Sequence, residues 1–375
     1  MTISGVRERR RGWAFGTLVR MALSLAMLAP TAVLFSLVWQ PVGEQADFGT
    51  LERHGVKYLQ ALIPLEIALT GAESAAVAGD AVPRDALTRA IEATAKVDAE
   101  YGAQLRTQDR WAELRAKIEA VPTSLNGTKA FTAYGEVTDL LLALIDKVRN
   151  NSKLVRDPEA DTYYLEDGAA QELPEGIVAA ARFTDLLEIG AGLPASEQAK
   201  SQLDIASARS DLSSNAHDLS DDIRLAVEGA GSRSIDSTLL SKLDRFNRSI
   251  DALVPLTRPG QSQAHDEMQS AAADLSATLL GQIDTALRSR LSTLDGRRLV
   301  AGLTLALAIL LSLAPLALVL VSRRRTASTP PTASTPPAAS TPPAPPRAPH
   351  APPQHEMIEP ADAEYAQWER FGVSR

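Results

Sequence analysis

Cysteine is absent from the 375 residues, which excludes disulfides, thiolate metal ligands and cysteine nucleophiles. Aromatic residues make up only 5% of the chain, and β-branched residues never alternate with a period of two, so the expected fold class is all-α. Histidine is scarce and scattered, at His54, His217, His265, His350 and His355, with no His-x3-His or His-Glu-x-x-His spacing. His217 and Asp221 come nearest to a metal pair, and a solvated helix face explains them more cheaply. No nucleophile–base constellation, phosphate loop or metal spacing is present, so neither an enzyme nor a cofactor is expected. A net charge of −8 argues against a nucleic-acid partner.

Two long apolar runs stand out. Residues 1–12 carry Arg7, Arg9, Arg10 and Arg11, and an apolar stretch follows from Trp13 to Trp39. It exceeds the roughly 20 residues that cross a bilayer, and tryptophan stands at both ends, as in interfacial belts. Arg20 lies close enough to the basic end to snorkel towards the headgroups, and Pro30 predicts a kink. The run is longer than a signal-peptide core and has no small-x-small site at its end, which favours an uncleaved anchor. The second run, Leu299–Val321, carries no charge and is followed by Arg323, Arg324 and Arg325. Arginine outside both runs places both termini in the cytoplasm by the positive-inside rule, with the middle of the chain on the other side of the inner (plasma) membrane. Between Glu44 and Arg298 acids outnumber bases roughly 40 to 27, as suits that placement.

The segment 40–298 reads as helices joined by short loops. Leu51, Gly55, Tyr58, Leu62, Leu65, Leu69, Ala72 and Ala76 step by four and three, the seam of a long packed helix. Gly79-Asp80 and Pro83 end it. A single second helix is expected from Arg84 to about Val121, and a third stripe runs from Phe131 to Val148, up to Asn150-Asn151. Later breaks fall at Gly192-Leu193-Pro194, Gly229–Gly231 and Pro255–Gly260. The last helix, with Met268, Leu275, Ile283 and Leu291 on its stripe, has no Gly-Pro or Asn-Gly punctuation before Leu299, so it is expected to run unbroken into the second apolar run. About seven helical stretches exceed what one four-helix bundle needs. Two stacked bundles and one bundle with a shorter inserted module both fit.

The densest polar and aromatic cluster is Arg156-Asp157-Pro158-Glu159-Ala160-Asp161-Thr162-Tyr163-Tyr164-Leu165-Glu166-Asp167, followed by Leu173-Pro174. Asp157 before Pro158 is a helix-start signal, with Asp157 as N-cap and Pro158 at the first helical position. The run resembles one in helical ligand-binding ectodomains of bacterial transmembrane sensors, of the methyl-accepting chemotaxis receptor and sensor histidine kinase type, which reads Asp-Pro-Asp-Leu-Asp-Ser-Tyr-Tyr-Leu-Met-Asp with Leu-Pro six residues on. The two apolar runs and the size of the middle segment agree. The resemblance implies an input domain that senses a small ligand or partner, in a homodimer. It does not extend past the second run, where no HAMP linker, kinase or methylated hairpin follows. The candidate ligand contacts are Arg156, Asp157, Asp161, Tyr163, Tyr164 and Asp167. So acidic a set favours a cation or an amine, while Arg156 leaves a small carboxylate open.

Residues 322–357 contain Ala-Ser-Thr-Pro-Pro three times, which predicts a disordered, polyproline-II-like cytoplasmic linker. In residues 358–375, Ile358, Tyr365, Trp368 and Phe371 follow helical spacing. A helix that short cannot bury them alone, so docking on a cytoplasmic signalling protein is expected. The leading reading is a membrane-anchored sensory protein that relays helix movement to a separate effector. The alternative is a structural cell-envelope protein whose helices act as a spacer, with no ligand.

Overall fold

The computed structural model describes residues 4–156, 159–229, 237–258 and 262–327. These residues form nine α-helices and no strand: α1 Ser4–Ala78, α2 Arg84–Leu105, α3 Gln108–Ala120, α4 Gly127–Ser152, α5 Ala160–Asp167, α6 Leu173–Ala191, α7 Ala195–Gly229, α8 Ser237–Leu253 and α9 Ser262–Ala327. One compact unit is Met1–Val319 and a second is Leu320–Arg375, of which the end of α9 is described.

α1 runs for 75 residues through Pro30, Pro41 and Pro64. Each proline removes one backbone hydrogen bond, which bends a helix without ending it when neighbouring turns are packed. The helix stops where the sequence says it should. Gly79 takes φ +79°, its N–H donates to the Ala76 carbonyl at 3.1 Å, and the Asp80 N–H reaches the Ala75 carbonyl at 2.8 Å. This paired closure satisfies the orphan carbonyls of the last turn.

The expected single helix from Arg84 to Val121 is instead two. Arg106 adopts φ 53°, and the chain turns before α3 starts. Asp98, buried in α2, accepts hydrogen bonds from the hydroxyls of Tyr58 at 2.8 Å and Thr107 at 2.9 Å. Turning at Arg106 brings Thr107 back over Asp98. The side-chain amide of Asn151 donates to the Leu105 carbonyl at 2.7 Å, covering the freed end of α2. Those partners are distant in sequence, so helical periodicity cannot reveal the break.

The seam predicted on α1 is the core. Tyr58, Leu62, Leu65, Leu69, Ala72 and Ala76 are buried, and α1 packs on α2, α4 and α6. Gly55 lies where a Cβ would come 2.4 Å from the Ser152 Cβ, so its missing side chain lets α1 and α4 approach. On α9, Met268, Leu275, Leu279, Ile283 and Leu287 complete the same core.

Where the core ends, Val42, Ala46 and Leu294 form a small separate cluster between α1 and α9. Beyond it the apolar side chains turn outward: Leu34, Leu37 and Trp39 on α1, Leu299, Leu303 and Leu310 on α9. Arg298 sits over the Trp39 ring, 5.6 Å from its centroid. Both α1 and α9 are long and apolar enough to cross a membrane. The most apolar described window of α9 is unburied, whereas that of α1 lies largely in the helical core. α9 continues without interruption from core to apolar run. α9 extends to Ala327, so residues 322–327, expected to open the disordered linker, are helical; residues 328–357 and the docking residues Ile358, Tyr365, Trp368 and Phe371 lie outside the described residues.

Candidate functional site

The central motif folds as a 3-10 turn, Leu154–Arg156, followed by α5. The described helix starts at Ala160, with Glu159 extended at φ −94° and ψ 113° in the cap position. Asp157 and Pro158, read as cap and first helical residue, lie outside the described residues. Past Asp167 the chain does not simply continue as α-helix. Gly168–Glu172 make one π-helical turn, closed by the Leu173 N–H on the Gly168 carbonyl, and α6 follows directly. Such turns insert an extra residue and are frequent at functional sites. Here the wider turn carries Asp167 and Glu172, five residues apart, to one side.

That side faces Asp222 of α7. One carboxylate oxygen from each of Asp167, Glu172 and Asp222 lies within 4.8 Å of the others. Gly168 permits the approach: a Cβ there would come 3.1 Å from Leu219 Cδ1 and 3.6 Å from Asp222 Cβ. Arg149 of α4 closes the crevice, with Asp167 at 3.4 Å, Asp146 at 3.3 Å and a close contact to Gln171. Burial pushes Glu172 up to about 7, with the charges of Glu175, Asp218, Asp222 and Asp167 adding to it. Asp222 is pushed up to about 7 by burial and then by Asp167, Asp218 and Asp221. Tyr163 is raised chiefly by the charge of Asp167. Glu172 and Asp222 therefore keep their protons to higher pH than ordinary carboxyls, and a cation entering the crevice would favour their ionised forms.

Tyr163, Tyr164 and Asp167 are thus brought to one place. The tyrosines are half-buried and meet edge to face, with ring centroids 5.3 Å apart and planes at 74°. Asp161 belongs to α5, and its side chain is not described. Arg156 is exposed and makes no ion pair or side-chain hydrogen bond among the described residues, so it does not join the crevice. Arg149, Glu172 and Asp222 were not singled out by motif reading, because they come from three separate elements. Asp218, Asp221 and Asp222 read in sequence as one side of a polar helix. His217 does meet Asp221 at 3.7 Å, with both side chains exposed, as a solvated pair should.

The motif also meets α9, and through the same arginine it is linked to α1. Arg290 of α9 lies 3.6 Å from Glu159 and 3.5 Å from Glu52 of α1, and Glu52 is fully buried. Nearly two turns earlier on α9, Asp284 is gripped by Arg53 at 2.9 Å, Lys57 at 3.4 Å and Arg288. Distant in sequence from α9, the motif meets it through Arg290. Arg290 precedes Leu299 by nine residues, roughly 14 Å of helix.

A second group of acids is buried in the core itself. Glu66 and Glu73 are two turns apart on α1, and Asp185 is on α6; at most 3% of each is exposed. Both oxygens of Glu66, Oε1 of Glu73 and Oδ2 of Asp185 lack a hydrogen-bond partner among the described residues. Burial, with Glu175 nearby, holds Glu66 well above the usual carboxylate range. Burial and Asp185 push Glu73 up to about 8, and burial pushes Asp185 up to about 7. Comparison with protein-family models, with curated proteins and with solved structures finds no match.

Proposed function

We propose that the chain is a non-enzymatic, two-pass sensory protein of the inner membrane. In this reading α1 and α9 each cross the bilayer, both termini are cytoplasmic, and the helices between them form a homodimeric ligand-binding bundle. The ligand side is the crevice of Tyr163, Tyr164, Asp167, Glu172 and Asp222, whose acidity suits a cation or an amine. The output is a separate cytoplasmic signalling protein, docked by Ile358, Tyr365, Trp368 and Phe371 at the end of the proline-rich linker.

One observation carries the reading. Arg290 ties the motif, through Glu159, to α9 and, through Glu52, to α1. A change at the motif is therefore felt at the two helices that continue into the apolar runs. The continuity of α9 supports transmission, because an unbroken helix can slide or rotate as one body.

The test uses the full chain in lipid nanodiscs, screened by thermal denaturation against divalent cations, di- and polyamines and small carboxylates. A ligand that binds the native state raises the midpoint by mass action. The expected result is a rise with a cation or amine that is lost in the Asp167→Asn/Asp222→Asn double variant. No shift with any of these classes would favour the envelope-spacer alternative. Deleting residues 359–375 is expected to release a cytoplasmic protein that otherwise co-purifies; unchanged co-purification would remove the docking role of the tail.

A further inference from the structure

A cleft of about 720 Å³ opens between α1, α2 and α9, lined by none of the crevice residues. Its walls are small or apolar, with Ile63 and Ile67 from α1, Ala86 and Ala93 from α2, and Ala273 and Leu280 from α9. Pro64 lies in the α1 wall and has no N–H to give to the Gln60 carbonyl one turn before it. Of the polar lining groups, the Gln269 amide is spent on Thr70 Oγ1 at 3.2 Å, and Gln60 Oε1 accepts from Lys57 at 3.0 Å. Among the described residues, Arg89 is the one charged lining residue. It is exposed and has no ion pair or side-chain hydrogen bond among the described residues.

Four arginines that flank the core are committed, Arg53 to Asp284, Arg149 to Asp167, Arg182 to Asp139 and Arg290 to Glu52, whereas Arg89 stands at the mouth of the cleft with its guanidinium unspent. An unpaired guanidinium at the mouth of an apolar cleft selects a ligand with an apolar body and an anionic end. The planar fork binds a carboxylate through two hydrogen bonds, and the cleft has the size and lining of a small-molecule site. We propose that this cleft binds an amphipathic monocarboxylate, its carboxylate on Arg89 and its hydrocarbon chain between α1 and α9. Such an occupant touches both helices that continue into the apolar runs. Its effect on signalling rests on the sensory reading; its binding does not.

The experiment measures equilibrium binding of labelled octanoate to the full chain in lipid nanodiscs, with empty nanodiscs as background. Saturable binding is expected, about tenfold or more weaker in Arg89→Gln and similarly weaker for octanol, which keeps the apolar body without the anion. Ala273→Phe fills the cleft without altering Arg89 and is expected to abolish binding. Arg89→Glu, at an exposed position, supplies the same evidence if Ala273→Phe does not fold. Uptake equal to that of empty nanodiscs overturns the proposal, as does saturable binding that neither Arg89 variant weakens. Spin labels at residues 36 and 304 separate this outcome from that of the sensory reading. Octanoate that binds as described without changing their distance leaves the cleft assigned and removes its role in signalling.

Discussion

Arg290 Nε lies 3.6 Å from Glu159 Oε1, which joins the start of α5 to the helix that leads into the second apolar run. The same guanidinium lies 3.5 Å from the fully buried Glu52. The two contacts differ in strength for a physical reason. Glu159 is one-third exposed, so water screens its pair, and Glu159→Gln is expected to cost less than about 1 kcal/mol. Arg290→Met removes a partner from a carboxylate held away from water and is expected to cost about 3 kcal/mol. Denaturant unfolding of each variant, with Glu52→Gln/Arg290→Met recovering part of the loss, checks the ranking. Equal costs for the two single variants would show that Glu52 does not depend on Arg290.

Gly55 and Ser152 bring α1 and α4 into close approach. A Cβ on residue 55 would meet Ser152 Oγ and Cβ at 2.3 and 2.4 Å, inside van der Waals contact. Gly55→Ala would ordinarily stabilise an interior helix position by roughly 0.5–1 kcal/mol. Here overpacking dominates, and a net loss of about 1–3 kcal/mol is expected. Ser152→Gly should restore most of it, and the double-mutant cycle gives the coupling directly. A stabilised Gly55→Ala single variant would mean that the helices separate easily at this point.

How much of this was legible in the sequence follows from the range of the forces involved. The α1 seam, the stop at Gly79-Asp80 and the unbroken α9 are set by periodicity and by residues within one turn, and each is found where those signals placed it. The turn at Arg106 is fixed by Asp98 together with Tyr58 and Asn151, the last two far away in the chain, so local pattern gave a single helix there. The motif was visible as a cluster, and three of its residues do come together. Its partners Arg149, Glu172 and Asp222 were not visible, because α4, a π turn and α7 bring them in. Arg290 gave no signal at all, since the sequence separates it from Glu159 by about half of the middle segment.

Tyr58 donates to Asp98 at 2.8 Å inside the core, and the same carboxylate oxygen accepts from Thr107. Tyr58→Phe keeps the ring and removes one donor from a buried acceptor, so a loss of about 1–2 kcal/mol is expected. Thr107→Val should cost a comparable amount and also loosen the turn between α2 and α3. Amide hydrogen exchange is the deciding measurement. Faster exchange around Arg106 in Thr107→Val, but not in Tyr58→Phe, is expected; identical protection in both would separate Thr107 from the turn.

The buried acids of the core make stability depend on pH with a definite sign. Glu73 rises from an ordinary 4.5 to about 8, and Asp185 from 3.8 to about 7. In the unfolded chain both ionise at their ordinary values, whereas in the folded protein both keep their protons to higher pH. The unfolded state therefore binds fewer protons between those limits. The stability these two groups contribute is complete below pH 4 and is lost as pH rises towards 8. Each unit of raised pKa corresponds to about 1.4 kcal/mol, so a fall of several kcal/mol between pH 5 and pH 8 is expected, with the coupled pair titrating over a broad range. Glu73→Gln/Asp185→Asn is neutral at every pH and nearly isosteric, and it should flatten that fall while changing stability little at pH 5. The midpoint of denaturant unfolding, measured across the range for both proteins, decides it. A wild-type midpoint that holds steady or rises towards pH 8 would mean that these carboxyls reach water or a counter-charge in solution.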